Sequence, residues 1–225
     1  MLDRRHASIT RRAVVAGLLT TPLTACGENP LAVNVVRAIR FSTIGLPDVP
    51  ISRDAVSKLP YASIAAKIGK GPRSLLILWR RERDDLHWIS ADAAVVVTRR
   101  GRVVKTAGLP ENIRETIPVG PDPFSEGLHN LQAGTTFFRS VDLDPGMTGM
   151  RIDSNYEVRG ARSVRITEID FETILIVERN VARTVNWSFE NLFWIDPFDG
   201  FIWKSRQHIA RAFPPVEIEV LKPAA

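Results

Sequence analysis

The chain is poor in cysteine: its 225 residues include one, Cys26. A single thiol cannot form a disulfide within the chain, nor can it build a cysteine-based zinc or iron–sulfur site. An excess of one charge is also nearly absent beyond residue 25. Residues 1–25 carry four arginines and one aspartate, which leaves 26 basic and 24 acidic side chains, or +2, for the rest of the chain. This balance gives no indication of a nucleic-acid partner.

Recognisable catalytic motifs are missing as well. The sequence has no G-x-S-x-G elbow, no H-E-x-x-H, no dinucleotide-binding glycine pattern and no Walker loop. The three histidines after residue 25 are scattered. Glu168, Asp170 and Glu172 are close together but lie between two strand-like runs, so we interpret them as a solvated hairpin tip. The sequence therefore predicts a protein that is not an enzyme, with no metal and no cofactor.

The N-terminus, in contrast, has a clear pattern. A basic start is followed by the uncharged run Ala13–Leu23, which is too short to span a bilayer, and residues 1–25 are typical of an export signal. The run ends in Leu23-Thr24-Ala25-Cys26, which resembles the lipobox of bacterial lipoproteins, where the cysteine is acylated and the signal is cut before it. We predict lipidation of Cys26; a buried free cysteine is the alternative.

Two further features concern export and sorting. Thr10–Val15 resembles a twin-arginine export motif, and a Sec signal that happens to contain paired arginines explains it equally well. Gly27 stands where an aspartate would resemble an inner-membrane retention signal, which favours the outer membrane. We therefore expect a cell-envelope protein that a lipid anchor on Cys26 attaches to the membrane, facing the periplasm.

The predicted organisation is a signal peptide (residues 1–25), a lipidated tether (residues 26–50) and a single antiparallel β domain (residues 51–225). Ser52 is placed to cap a helical turn that runs to Lys58. Short apolar runs separated by turn residues then predict an all-β fold, either an antiparallel β-sandwich or a barrel-like domain with a few short helical turns. These runs are 73–79, 86–89, 93–98, 102–106, 134–141, 150–158, 161–167, 173–179, 183–189, 192–195, 201–209 and 216–221. Residues 108–133 are predicted as a loop, with one helical turn starting at Leu109.

One strand-like run carries a basic stripe. In residues 201–209, strict alternation places Lys204, Arg206 and His208 on one face together with Ile202, with consecutive members about 6.5–7 Å apart. Such a stripe is a candidate contact for an anionic glycan or for lipid headgroups. The alternative is a sheet face that these residues only keep solvated.

Six short segments follow one another along the chain in a characteristic order: Leu59–Ser63, Trp88, Gly101–Thr106, Asp122-Pro123, Ala161–Val164 and Asn191–Asp196. This ordered set resembles the YjbF/GfcB family of exopolysaccharide and group 4 capsule lipoproteins. The resemblance implies an antiparallel β fold and a role in capsule or exopolysaccharide production or export, and it supplies no catalytic residue. The partners it implies are anionic polysaccharide and other polysaccharide-export proteins.

The sequence therefore favours a non-enzymatic outer-membrane lipoprotein that assists polysaccharide production or export. Two alternatives remain open at this point. One is a glycan-modifying enzyme with an unrecognised carboxylate site, and the other is a structural partner of an envelope assembly.

Overall fold

The computed structural model describes residues 51–224, most of which lie in twelve strands. The helical segments are short: α1 (Arg53–Ser57), α2 (Pro123–Glu126) and two 3₁₀ turns, Leu128–Asn130 and Arg183–Val185. The strands are β1 (Ser63–Ile68), β2 (Ser74–Glu82), β3 (Asp85–Ser90), β4 (Val95–Arg99), β5 (Arg102–Ala107), β6 (Asn112–Val119), β7 (Thr136–Asp144), β8 (Met147–Ile166), β9 (Ile169–Ala182), β10 (Trp187–Ile195), β11 (Ile202–Gln207) and β12 (Val216–Lys222).

All twelve strands belong to one antiparallel sheet, which curls into a nearly closed barrel. The strand order is β5-β4-β3-β2-β1-β12-β11-β10-β9-β8-β7-β6, so the first strand pairs with the last. The two outer strands, β5 and β6, meet through side chains: Ile113 N donates to Thr106 Oγ1 at 2.9 Å, and Thr116 Oγ1 donates to Val104 O at 3.1 Å. The predicted all-β class is confirmed, in its barrel form.

The barrel has two ends that differ in what they carry. The proximal end holds the beginning of β1, the end of β10 and the turn between β4 and β5. At the distal end, β10 begins at Trp187 and β11 ends at Gln207. Antiparallel pairing fixes this division, because each strand starts where its neighbour stops.

The helical turn predicted after Ser52 is confirmed. Ser52 is in an extended conformation, and its Oγ accepts a hydrogen bond from Ala55 N at 3.2 Å, which satisfies one free backbone donor of α1. Both α helices are no more than five residues long. Within residues 51–224, no helix has the length and apolar character needed to cross a bilayer.

The loop predicted for residues 108–133 is wrong in part, because it contains β6. The expected helical turn at Leu109 is instead closed by the Asn112 side chain, whose Nδ2 donates to Leu109 O at 2.7 Å. The sequence does not predict strand β6, because its register shifts between Ile113 and Glu115 and the apolar alternation is broken there. Its Pro118 is tolerated because β6 is an outer strand of the sheet.

Two other boundaries differ from the prediction. The runs 150–158 and 161–167 form one strand, β8, whose register shifts between Val158 and Ala161, where Gly160 takes a positive φ of 78°. The runs 183–189 and 192–195 also merge, since β10 is continuous from Trp187 and the residues before it form a 3₁₀ turn. The tip between β8 and β9 confirms the predicted hairpin around Glu168.

Apolar side chains fill the barrel in two clusters. The larger includes Ile64, Trp88 and Val216, and links the strands of the first half to β12. The smaller packs Phe124 of α2 against Phe193 of β10, edge to face, with ring centroids 5.0 Å apart. Each fully buried side chain of this kind contributes about 1.5–3 kcal/mol, so α2 is held over the barrel by its own apolar residues.

A charged cluster lies inside the barrel between these apolar groups. Glu178 is fully buried, and Arg102 grips its carboxylate with two guanidinium nitrogens, at 2.7 and 3.2 Å. Arg139 Nη1 donates to the same carboxylate at 3.2 Å, as does Tyr156 OH at 2.9 Å. Asn191 Nδ2 completes the set at 2.8 Å. The carboxylate is thus fully hydrogen-bonded, as a buried charge requires.

The electrostatics of this cluster favour the ionised carboxylate. Burial alone would raise the pKa of Glu178, but the attraction of Arg102 and Arg139 outweighs burial and holds that pKa well below its usual range. Burial, together with the neighbouring Glu178 charge, raises the pKa of Tyr156, so its hydroxyl stays protonated and donates. The cluster is a fixed structural unit at neutral pH.

Candidate functional site

An open groove lies at the distal end of the barrel, between the beginning of β10 and the end of β11. Its volume is about 450 Å³. Most of its lining is aromatic or charged, a combination that suits a ligand with both ring faces and anionic groups. The lining residues are Trp187, Ser188, Phe189, Glu190, Leu192, Arg206, His208, Arg211 and Phe213.

The aromatic part of the groove is pre-arranged. Trp187 and Phe189 are two residues apart on β10, so their side chains share one face of the strand. Their rings stack with centroids 3.9 Å apart at an angle of 22°, and the His208 ring lies 5.5 Å from Phe189. Such a stack offers a rigid platform, because few side-chain rotations remain to be frozen when a ligand binds.

The basic part consists of two arginines. Arg206 is exposed, and within residues 51–224 no carboxylate lies at ion-pair distance from its guanidinium. Arg211 is also exposed and is steadied by one hydrogen bond, from its Nη1 to Val185 O at 2.7 Å. Each guanidinium keeps donors available for an incoming carboxylate or phosphate, in the forked geometry that such groups prefer.

His208 joins the groove to the buried cluster. Its backbone N–H donates to Asn191 Oδ1 at 2.8 Å, and Asn191 in turn holds Glu178. Its ring Nδ1 lies 3.1 Å from Glu190 O. Burial lowers the pKa of His208, and repulsion by Arg206 adds to this effect against the opposing hydrogen bond with Glu190. The ring is therefore neutral at pH 7, and the positive charge of the groove comes from its arginines.

Lys204, the first member of the predicted stripe, lies outside the groove. Its Nζ contacts Glu217 at 2.8 Å and Glu219 at 2.9 Å, and Glu219 also pairs with Arg73. Burial lowers the pKa of Lys204, but hydrogen bonds to the two glutamates outweigh burial and raise it above its ordinary value. Because two carboxylates already neutralise this ammonium, it has little left to offer an anion.

The strict alternation predicted for residues 201–209 is wrong at its beginning. Lys204 pairs with Trp194, but Ile202 pairs with Ile195, so Trp203 is an extra residue that forms a bulge. Ile202 is consequently buried inside the barrel, while Lys204 and Arg206 face outward. Lys204, Arg206 and His208 as glycan contacts remain a prediction, and the structure brings the last two together in one groove.

Other predicted features fall outside the groove or outside the described residues. The lipidation of Cys26 belongs to the part of the chain before residue 51 and stays a prediction. From residue 51 to residue 224, no three His, Cys, Asp or Glu side chains form a group suited to a metal ion. Within the groove lining, Glu190 is the one carboxylate, and Arg179 Nε donates to it at 3.0 Å.

The sequence pointed to only part of this site. Trp187 and Phe189 carry a detectable signal, since two aromatic residues at a spacing of two share a strand face. Phe189 also belongs to the larger apolar cluster, and Trp187 packs against that cluster. Arg211 has no such signal, because it lies in the irregular segment between β11 and β12.

The fold and the groove together define an all-β barrel domain with an open groove lined by basic and aromatic residues. The crystal structure of the hypothetical lipoprotein YmcC from Escherichia coli K12 has the same fold, with a TM-score of 0.71 and 25% sequence identity. The match covers 86% of this chain and 96% of that one.

Sequence comparison then places the chain in a family. Residues 36–221 match the family described as group 4 capsule polysaccharide lipoprotein GfcB, YjbF, and the chain belongs to that family. It is 25% identical to the uncharacterized lipoprotein GfcB of Escherichia coli K12 over 215 residues, which are 95% of this chain and 99% of that protein. It is 26% identical to the uncharacterized lipoprotein YjbF of the same strain, over 81% of this chain and 85% of that one. The predicted family is confirmed.

Proposed function

We propose that this protein is a non-enzymatic lipoprotein of the outer membrane that faces the periplasm. In this proposal it assists capsule or exopolysaccharide production or export by holding a segment of acidic polysaccharide in the distal groove. The observation that carries the proposal is the exposed Arg206, which has no carboxylate partner within residues 51–224 and shares the groove lining with the stacked rings of Trp187 and Phe189. Membership of a capsule polysaccharide lipoprotein family supports the choice of ligand.

The groove suits an acidic polymer in two respects. Aromatic faces pack against the C–H faces of sugar rings, and guanidinium groups bind carboxylates through paired hydrogen bonds. The groove is open and its charges are exposed, so each contact is weak and screened by salt. A long chain with repeating charges compensates for weak single contacts, because many repeats present themselves to one site.

The alternative of a glycan-modifying enzyme gains no support from the groove. General acid–base cleavage of a glycosidic bond uses two carboxyl groups, and Glu190, the carboxylate in the lining, is engaged with Arg179. The alternative of a structural partner in an envelope assembly is separated from glycan binding by the experiment below.

The test replaces both groove arginines. In a strain that lacks the gene, the double variant Arg206→Glu/Arg211→Glu should restore less exported polysaccharide than the wild type, at equal protein level. In vitro, the purified variant should bind the strain's own purified polysaccharide at least about tenfold more weakly at low salt. Uncharged dextran serves as the negative ligand.

The matched control is Arg162→Glu. Arg162 is also an exposed strand arginine, but it lies in β8, away from the groove, and its guanidinium donates to the neighbouring Ala161 O at 2.7 Å. It should behave like the wild type in both assays. Normal export and unchanged binding in the double variant would overturn the polysaccharide role of the groove. Lost export with unchanged binding would instead favour a structural partner.

A further inference from the structure

A second cavity lies inside the barrel at the proximal end. Its volume is about 330 Å³, within the range of small-molecule sites. We call it the barrel cavity. Its walls combine residues of β1, β3, β11 and β12 with the cap formed by α2 and the following 3₁₀ turn. Apolar side chains dominate these walls: Ile64, Trp88, Phe124, Leu128, Ile202 and Ile218.

The polar side chains of the inner wall are already engaged. Trp88 Nε1 donates to Thr98 Oγ1 at 2.8 Å, and Ser205 Oγ accepts from Gln207 Nε2 at 2.9 Å. A polar ligand would lose its water here and gain little in return, whereas an apolar ligand gains from every methylene that it buries. The interior of this cavity therefore selects for hydrocarbon.

The rim of the barrel cavity is charged. Arg100 and Asp199 are both exposed and both line it. Arg100 makes two long hydrogen bonds, each 3.3 Å, to Asp84 and to Ser125 O. Bonds of that length are weak, so the guanidinium can turn toward an anionic group at the opening. An apolar interior with a cation at the opening fits an amphiphile with one anionic end.

The opening also faces the side on which the chain enters the barrel. Gly101 in the turn between β4 and β5, Gly200 in the turn between β10 and β11, and Ala224 after β12 all border it. Leu59, which precedes β1, lies at this same end, where its carbonyl accepts from Lys222 Nζ at 2.6 Å. Residues 26–50 span at most about 80–90 Å when extended, so the predicted anchor at Cys26 keeps the opening within reach of lipid.

We propose that the barrel cavity binds one fatty-acyl chain, inserted hydrocarbon first through the proximal end. Two sources offer this chemistry: an acyl group on Cys26 of the same protein, or a lipid of the envelope. A free fatty acid would leave its carboxylate at the rim beside Arg100. The proposal takes only the lipid surroundings from the proposed function, and it is independent of the distal groove.

The test uses the full-length Cys26→Ser protein, which cannot carry its own acyl group. N-phenyl-1-naphthylamine, whose fluorescence rises in apolar sites, reports occupancy, and fatty acids of eight, ten and twelve carbons compete for it. Each added methylene should increase the affinity up to about fourfold until the cavity is full. Binding that ignores chain length, or no binding of probe and acids, would overturn the proposal.

A pair of variants on β12 locates the site. Val220 lines the cavity, so Val220→Phe fills it and should weaken dodecanoate binding by about tenfold or more. Leu221 is the next residue on the same strand and is not part of the cavity lining, so Leu221→Phe should bind like the parent. Thermal melts verify that both variants fold. Equal binding by both folded variants would contradict the assignment.

The rim and the lipid source are tested separately. Arg100→Gln should weaken dodecanoate binding and leave dodecanol binding unchanged. Unchanged dodecanoate binding in Arg100→Gln would show that this guanidinium does not hold the carboxylate. The lipidated wild type in detergent then separates the sources. If its own acyl group fills the cavity, it should reject the probe that Cys26→Ser accepts, whereas equal acceptance identifies an envelope lipid. Polysaccharide binding at the distal groove should be the same in all these variants, so the two proposals fail independently.

Discussion

The arginines inside the barrel and those of the distal groove meet opposite surroundings. Arg102 and Arg139 are 3% and 4% exposed, and both form ion pairs with the carboxylate of Glu178. Arg206 is exposed and has no carboxylate partner among the described residues. The same side chain thus serves structure where its donors are used within the protein, and is available for the proposed recognition of polysaccharide where they are left unused.

The comparison also explains why the two sites respond differently to substitution. A buried charge that loses its partner keeps the full cost of desolvation, whereas an exposed charge is returned to water. We therefore expect changes in the buried cluster to lower stability and changes in the groove to alter binding alone.

The largest effect is expected for Glu178→Ala. This change leaves Arg102 and Arg139 buried without their shared carboxylate, and should lower the free energy of unfolding by about 3–5 kcal/mol. Urea unfolding followed by circular dichroism measures the change. The matched control is Glu190→Ala, a glutamate of the groove that also accepts from an arginine but is exposed. Equal losses of unfolding free energy in the two variants would refute the distinction between buried and exposed glutamate–arginine pairs.

The pH dependence of stability should follow the same carboxylate. The pKa of Glu178 in the folded protein lies below its value in the unfolded chain, so its contribution is complete at neutral pH and decreases as the pH falls below the ordinary glutamate value of about 4.3. Unfolding free energies from pH 7 down to pH 3 should therefore fall more steeply for the wild type than for Glu178→Gln. Parallel curves would contradict the assignment.

A smaller effect is expected for Tyr156→Phe. The hydroxyl donates to Glu178 at 2.9 Å and accepts from Arg102 Nη2 at 3.0 Å, so its removal takes hydrogen bonds from two charged groups. The expected loss is about 2 kcal/mol. A double-mutant cycle with Glu178→Gln should show strong coupling, because both changes act on one network. Additive effects would place Tyr156 outside it.

In the groove, Arg206→Glu should change the free energy of unfolding by less than about 0.5 kcal/mol, since no described carboxylate depends on it. Under the proposed function, Arg206→Glu should weaken polysaccharide binding, and increasing salt should reduce the difference in affinity between variant and wild type. A large loss of stability would mean that Arg206 has a structural partner.

The smallest effect concerns His208. Repulsion by Arg206 is one of the causes that lower the pKa of His208, so Arg206→Gln should raise that pKa. NMR titration of the imidazole measures it directly. Arg162→Glu lies away from the ring and serves as the control. No shift in Arg206→Gln would show that the two side chains do not share the groove in solution.

The sequence predicts the fold class well and the sites less well, for physical reasons. Alternation and turn residues located most strands, but alternation fails at bulges, and the bulge at Trp203 reversed the face expected for Ile202. The burial of Glu178 could not be predicted from the sequence for a different reason. Strand β9 reads Ile174-Leu175-Ile176-Val177 before Glu178, and apolar residues on both faces do not reveal which of Glu178 and Arg179 turns inward.

The groove shows a second limit of sequence reasoning. The neutralisation of Lys204 depends on Glu217 and Glu219 of β12, and a single strand's sequence does not identify its neighbour in the sheet. Arg206 has Glu217 opposite it on β12 as well, yet no carboxylate in the described part of the chain forms an ion pair with it. Cross-strand geometry therefore decides which of Lys204 and Arg206 remains available to a ligand.

The pairing of β1 with β12 determines when the barrel can form. Lys222 Nζ donates to Leu59 O across 163 residues of chain, so contacts at the start of the domain wait for those at its end. Loops of that length close slowly, and folds dominated by distant strand pairs fold slowly. While the chain is being made, β1 has an unpaired edge until Val216–Lys222 has left the ribosome. Until that last strand is complete, the barrel stays open between β1 and the place that β12 will occupy.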